Sequence, residues 1–196
     1  MATFDFIKFQ KKIVESSDNS SVRKKAINLA QERVQKAKEE MIAEFDNHAV
    51  TREIQGGPNA ENISNTLNGD GNLFSYIGFN EGENPTEVVR DYLNESTALR
   101  RTYDFNVRKG LFTFKVKTPS LEEVEQKTPF PWEPRSWVRG VERGISGLGF
   151  YISSKIKEFK NSRSGVAIQS KKKIRTGSYK AIKYLSEIIR NFRKKL

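Results

Sequence analysis

The sequence predicts an α+β fold with a long N-terminal helix, a small, mainly antiparallel sheet of about four strands, flanking helices and a basic C-terminal helix. Three observations predict it. From Ser21 to about Phe45, apolar Val22, Ala26, Leu29, Val34, Ala37, Met41 and Phe45 recur at mixed steps of three, four and five among strong helix formers, which is helical periodicity. The run "RRTYDFNVRKGLFTFKVKTP" alternates through Tyr103, Phe105 and Val107, and again from Leu111 or Phe112 to Val116, about Lys109-Gly110. That is a hairpin signal. The closing "SYKAIKYLSEIIRNFRKKL" sets Ile182, Leu185, Ile188, Ile189 and Phe192 on one side of a helix.

The remaining elements follow in order. Phe6, Ile7, Phe9 and Ile13 predict a short N-terminal helix over Phe4 to Val14, broken by "SSDNSS". "AVTREIQ" (Ala49 to Gln55) alternates and predicts a strand closed by Gly56, Gly57 and Pro58. "NAENISNTL" suggests a turn of helix, and "LFSYIGF" (Leu73 to Phe79) reads as a second strand. Pro85 opens a helix whose buried face holds Val88, Val89, Tyr92 and Leu93. "SLEEVEQK" is a short acidic helix behind a cap-like Ser120. Three prolines make "TPFPWEP" an extended connection. Past it, glycines 140, 144, 147 and 149 interrupt a helical pattern or admit close backbone packing. "NSRSG" is a loop, and "VAIQSKKKIR" an exposed basic strand. With 196 residues, one core with extensions is expected. Residues 1–130 form the α+β core with its N-terminal helices. Residues 131–196 form a basic, glycine-containing helical extension packed into the same domain.

Charge is distributed unevenly. The chain carries a formal +11, yet from Pro131 onward there are 17 Lys and Arg against 4 acidic residues, a net +13, which leaves −2 for the first 130. A polyanion or an acidic protein surface is the expected neighbour of that last third. Cysteine is absent, which excludes disulfides, thiolate nucleophiles and cysteine zinc sites. No apolar run is long enough to span a bilayer, and the N-terminus lacks the apolar core and cleavage site of a signal peptide. A soluble protein of the cytoplasm is expected.

Motifs that would carry chemistry fail on their spacing. In "NGDGNLFSYIGFNEG", Asn68, Asp70 and Asn72 fit the first ligand places of a calcium loop, but Leu73 replaces the sharp-turn glycine and Phe79 the bidentate glutamate. No phosphate-cradling glycine loop is present. His48, the only histidine, has no second imidazole to share a metal or proton with and reads as a helix-terminal surface residue. Asp104 with Glu125-x-Lys127 has the residue types of a metal-dependent nuclease, but a helical "EEVEQK" points those two side chains apart. No catalytic, cofactor or metal residues are therefore expected.

Several stretches together resemble the head–tail joining, or tail-completion, proteins of the necks of tailed bacteriophages. These are the long helix Ser21 to Phe45, "VTREIQGG", "LFSYIGFNEG" and the late "PFPWEPRSWVRGVERGI" before a terminal helix. "NHAVTREIQGG" stands where that family often has an aspartate-threonine-glycine turn. The resemblance implies a non-enzymatic virion protein, assembled in the host cytoplasm. It would form a homo-oligomeric ring, a hexamer or dodecamer, between the portal or connector and the tail tube, with genomic DNA in the lumen and no membrane partner. Tail completion, tail terminator and connector remain alternatives. On that reading Lys171, Lys172, Lys173, Arg175, Arg190, Arg193, Lys194 and Lys195 face a partner or DNA. Trp132 and Trp137 anchor the interface, with core packing as the alternative for both. Asp70, Glu81 and Glu83 offer an acidic counter-surface. A nonspecific nucleic-acid-binding protein using the basic third is the alternative function.

Overall fold

The computed structural model describes residues 3–10, 20–69, 71–106, 111–131, 133–144 and 179–196. It is α+β, as the periodicities predict. The longest element is helix α1 (Ser20–Asn47), whose 28 residues span about 42 Å. Its buried stripe is Ala26, Ala30, Val34, Ala37, Met41, Ile42 and Phe45. Steps of three and four along that stripe hold one face inward over the full length.

The chain turns sharply at His48, whose extended backbone ends α1 and whose Nδ1 accepts from the Val50 N–H at 3.2 Å. This cap starts α2 (Ala49–Gln55). The segment was expected to be a strand. It is a helix because Val50 and Ile54, four residues apart, go into the core together with Thr51 and Glu53. A 3₁₀ turn at Gly57–Asn59 follows.

"LFSYIGF" also corrects its expectation. Leu73–Ile77 is helix α3, capped by Asn72, whose side chain accepts from the Ser75 N–H at 2.9 Å, and closed by Gly78 at φ 90°. Both ends thus have local hydrogen-bonding solutions that outweigh the strand preference of the aromatic residues between them. Helix α4 (Pro85–Ser96) buries Val89, Tyr92 and Leu93 while Val88 stays exposed.

The sheet has three strands in the order β1-β3-β2. β1 (Thr3–Gln10) replaces the expected N-terminal helix: its eight residues pair antiparallel with β3 without interruption, from Thr3↔Thr118 to Gln10↔Leu111. β2 (Ala98–Asn106) and β3 (Leu111–Thr118) form the expected hairpin, whose turn lies outside the described residues. α5 (Leu121–Lys127) follows, as expected. The proline-rich connection forms a two-stranded ribbon, β4 (Pro129–Phe130) with β5 (Glu133–Ser136). It leads into α6 (Trp137–Arg143), capped by Ser136 and ended by Gly144 at φ 102°. The expected interruption by glycine therefore falls at Gly144. The predicted loop "NSRSG" and strand "VAIQSKKKIR" lie outside the described residues.

The terminal helix starts later than expected: residues 179–184, Ile182 included, run without regular structure, because Lys180 N–H donates to Thr66 O at 2.8 Å and Ile182 N–H to Val141 O at 3.3 Å. Helix α7 (Leu185–Lys195) then packs against α1. Glu142 of α6 accepts from the Tyr184 and Ser186 N–H groups at 3.2 and 2.7 Å, a carboxylate placed where a helix N-terminus favours negative charge. Two apolar clusters result. The larger joins α1 beyond Ala37 to α2, α3, α4, α6 and α7, and includes residues from both sides of position 130. The smaller packs Ala26, Ala30 and Val34 on Phe112, Phe114 and Val116 of β3.

Candidate interaction surfaces

The basic end of α7 lies against the middle of α1. Lys195 Nζ meets Glu40 Oε2 at 2.8 Å, and the Lys195 carbonyl accepts from Arg33 Nε at 3.1 Å. Arg33 and Glu40, seven residues apart, share one face of α1, so a single helix end reads both. The Lys195 ammonium holds the Glu40 carboxyl below its ordinary value. Arg193 donates to Pro119 O at 3.1 Å, and Arg190 pairs with Glu187 at 2.9 Å. Lys194 is exposed. Of the basic residues expected to face a partner, Arg190, Arg193 and Lys195 thus engage this chain's own groups, and Lys171, Lys172, Lys173 and Arg175 lie outside the described residues. Sequence reading missed Arg33 and Glu40, since nothing in the order of residues brings α1 to the chain's other end.

Trp137 corrects its expected role as an interface anchor. It is 1% exposed, edge-on to Phe79 at 5.8 Å between ring centroids and tilted against Tyr184 at 6.4 Å. Its indole is core, with no face left for a neighbour. Trp132 lies outside the described residues, as does Asp70. Glu81 is exposed. Glu83 closes its own turn, accepting from the Asn80 N–H at 3.0 Å and the Asn80 side-chain amide at 2.6 Å.

The glycine-rich stretch around Asn68 is organised by a residue the sequence did not nominate. Glu53, fully buried, accepts from the Asn62 side-chain amide at 2.8 Å, the Ser64 N–H at 2.9 Å and the Leu73 N–H at 2.7 Å. Asn62 Oδ1 in turn accepts from the Leu67 and Gly69 N–H groups at 3.1 and 3.3 Å. Three donors on one carboxyl group satisfy its buried oxygens. Among the described residues no group of three or more His, Cys, Asp or Glu could hold a metal ion, and no helix is long and apolar enough to cross a membrane.

His48 is half-buried, with its ring 4.8 Å from that of Tyr184. Burial lowers its pKa, against the opposing pull of the Lys183 carbonyl and of Glu187, Glu44 and Glu142. Tyr184 itself is fully buried, shares a hydrogen bond of 2.7 Å with Thr51 Oγ1, and its phenol is pushed up by burial. Asp104 is exposed on β2 while Glu125 and Lys127 lie on helix α5, so the nuclease-like residue types sit on different elements.

The sheet offers a different kind of surface. Among the described residues β1 and β2 each pair on one side only. Their edges differ: the β1 ladder is unbroken, whereas β2 shifts register between Leu99 and Tyr103. No family model, no curated protein and no solved structure matches this chain.

Proposed function

We propose that the protein is a structural subunit of the neck of a tailed bacteriophage, closing with copies of itself into a ring that joins the portal or connector to the tail. The observation that carries this reading is that, among the described residues, the outer strands β1 and β2 of the small sheet each pair with β3 alone. Long unpaired edges invite pairing with another chain, and two edges on opposite sides of one sheet suit head-to-tail association, which closes into rings. The basic last third supports an acidic neighbour or DNA along the ring's axis. The stretches that resemble head–tail joining proteins support it as well.

Mass measurement and electron-microscope images of the purified protein, alone and mixed with a candidate portal or tail, test the proposal. Ring-shaped assemblies alone or on the partner are expected. A strict monomer that joins no ring, yet retards DNA at physiological salt with affinity falling steeply as salt rises, would replace this reading with nonspecific nucleic-acid binding.

A further inference from the structure

Resting on the ring reading, we infer that neighbouring subunits meet helix on helix, the face of α1 around Leu29 in one copy docking on the face of α4 around Val88 in the next. Among the described residues three large apolar side chains are close to half exposed: Leu29, Ile63 and Val88. Ile63 lies in a turn, whereas Leu29 and Val88 lie within helices. A lone exposed leucine or valine is ordinary. These two stand out because the charges around them are opposite in sign.

On α1, Leu29 shares a stripe with Lys25, Arg33 and Lys36, which stand four residues before it, four after and seven after. All three are exposed, and Glu32 is the one carboxylate between positions 25 and 36. Helix α7 enlarges this basic face. It runs antiparallel to α1, since Asn191 donates to Glu44 at 2.7 Å while Lys195 meets Glu40 and Arg33 farther back, and it brings the exposed Lys194 to the same part of α1. Helix stability does not account for the charge. α1 has no acidic residue in its first turn and carries Arg23, Lys24 and Lys25 close to its start, where the helix dipole disfavours cations.

On α4, Val88 follows Glu87 and has Asp91 and Glu95 three and seven residues on, all three exposed. Arg90, the one cation of that helix, is engaged by Asp46 of α1 at 3.0 Å. α5 extends the acidic face with Glu123, to which the Tyr92 hydroxyl donates at 2.8 Å, and with the exposed Glu122. Each face thus has an apolar centre and a charged rim, the anatomy of a protein interface.

Charge chooses the arrangement. A two-fold contact of either face with itself would set cations on cations or carboxylates on carboxylates, at a repulsive cost. A polyanion on α1 would use the cations but leave Leu29 and the acidic face of α4 without a role. Docking the α1 face on the α4 face of a second copy uses all of these groups. It is heterologous, the kind of contact that closes rings.

Lys25→Glu with Lys36→Glu, and separately Glu87→Lys with Asp91→Lys, should each weaken assembly by roughly tenfold or more at low salt. Folding should be retained, read as the urea midpoint, because all four side chains are exposed. Mixed in equal amounts, the two variants should assemble again, since at every contact one then meets the other with opposite charge. Disulfide mapping gives a second readout in a chain without cysteine. Within one subunit residues 29 and 88 cannot be bridged: Arg90 is bonded to Asp46, about 25 Å along α1 from Leu29, beyond the reach of a disulfide. Mild oxidation of the Leu29→Cys, Val88→Cys double variant should therefore give a ladder of covalent oligomers up to the closed ring, and each single variant none beyond a dimer. Rings that survive both charge variants, a loss that mixing does not repair, or rings without the 29/88 ladder would overturn this contact and leave the ring reading standing. An α1 variant that still forms rings but no longer retards DNA would overturn it in favour of a polyanion on that face. Absence of rings from the unmodified protein, alone and with its partner, would overturn both.

Discussion

Toward its C-terminal end α1 shares a core with Trp137, Tyr184 and Phe192, whereas toward its N-terminal end it meets Phe112, Phe114 and Val116 through Ala26, Ala30 and Val34. The first contact interleaves apolar bulk with internal polar pairs such as Thr51 with Tyr184 and Thr128 with Ser136, each closed by a hydrogen bond of 2.7 or 2.8 Å. The second sets the small side chains Ala26 and Ala30, with Val34, against Phe112 and Phe114 of the strand, which permits close approach of helix to sheet. One helix thus spans the larger core and the smaller cluster beneath the sheet. On the proposed ring reading, the end in the larger core would hold the sheet in place and the sheet end would meet neighbours.

Trp137→Ala tests that difference most severely. Emptying a site that is 1% exposed at the centre of the larger cluster should cost about 4 kcal/mol, read as a drop in the urea midpoint. Glu53→Ala comes next, at about 3 kcal/mol. It strands the Asn62, Ser64 and Leu73 donors, and amide exchange over residues 62–73 should rise with it. At the other end of α1, Ala30→Leu should cost about 2 kcal/mol by overpacking. Amide exchange should then quicken in β3 and remain unchanged in α6; equal acceleration in both would show that the two ends unfold as one. Tyr184→Phe should cost about 1 kcal/mol, since the Thr51 hydroxyl loses its buried partner.

The smallest expected effect is a pH dependence. Burial holds the folded-state pKa of His48 below its ordinary 6.5, so as the pH falls the unfolded chain takes up the proton first. The stability from neutral His48 is complete above that ordinary value and declines as the pH drops from it toward the folded value. His48→Asn keeps an N-cap acceptor and removes the titration. Its urea midpoint should therefore change less than that of the unaltered protein between about pH 7.5 and about pH 5.5.

Much of this arrangement was legible before any coordinates. The long helix, the hairpin, α4, α5 and the terminal amphipathic helix each carry a periodicity longer than the noise of single residues. Failures fell on short segments. α2 and α3, of seven and five residues, are too brief for a helical period to show, and their Val, Ile, Phe and Tyr content favours strands. In the sequence of β1 the apolar residues fall at both even and odd positions (Phe4 and Phe6, then Ile7 and Phe9), which imitates helical spacing and hides any alternation. For the candidate surfaces, charge singled out the basic last third of the chain. It could not reveal that Lys195 and Arg193 are held by Glu40 and Pro119, because those contacts join residues far apart in sequence. Trp137 shows the same limit: an aromatic suited to an interface is equally suited to a core, and only the surrounding residues decide.

The docking of α7 also sets an order of events during synthesis. Tyr184, Leu185, Ile188, Ile189 and Phe192 belong to the same cluster as Met41 and Phe45, so α1 waits for more than a hundred intervening residues before its larger face can close. At about 5–20 residues per second on the ribosome, that wait lasts roughly 7 to 28 seconds, and the long loop closure slows folding further. The parts of Met41, Phe45 and Trp137 that α7 and Tyr184 cover stay open until those residues are made. On the proposed ring reading, subunits would become competent to assemble only once α7 has docked, which would separate the making of the sheet from its use.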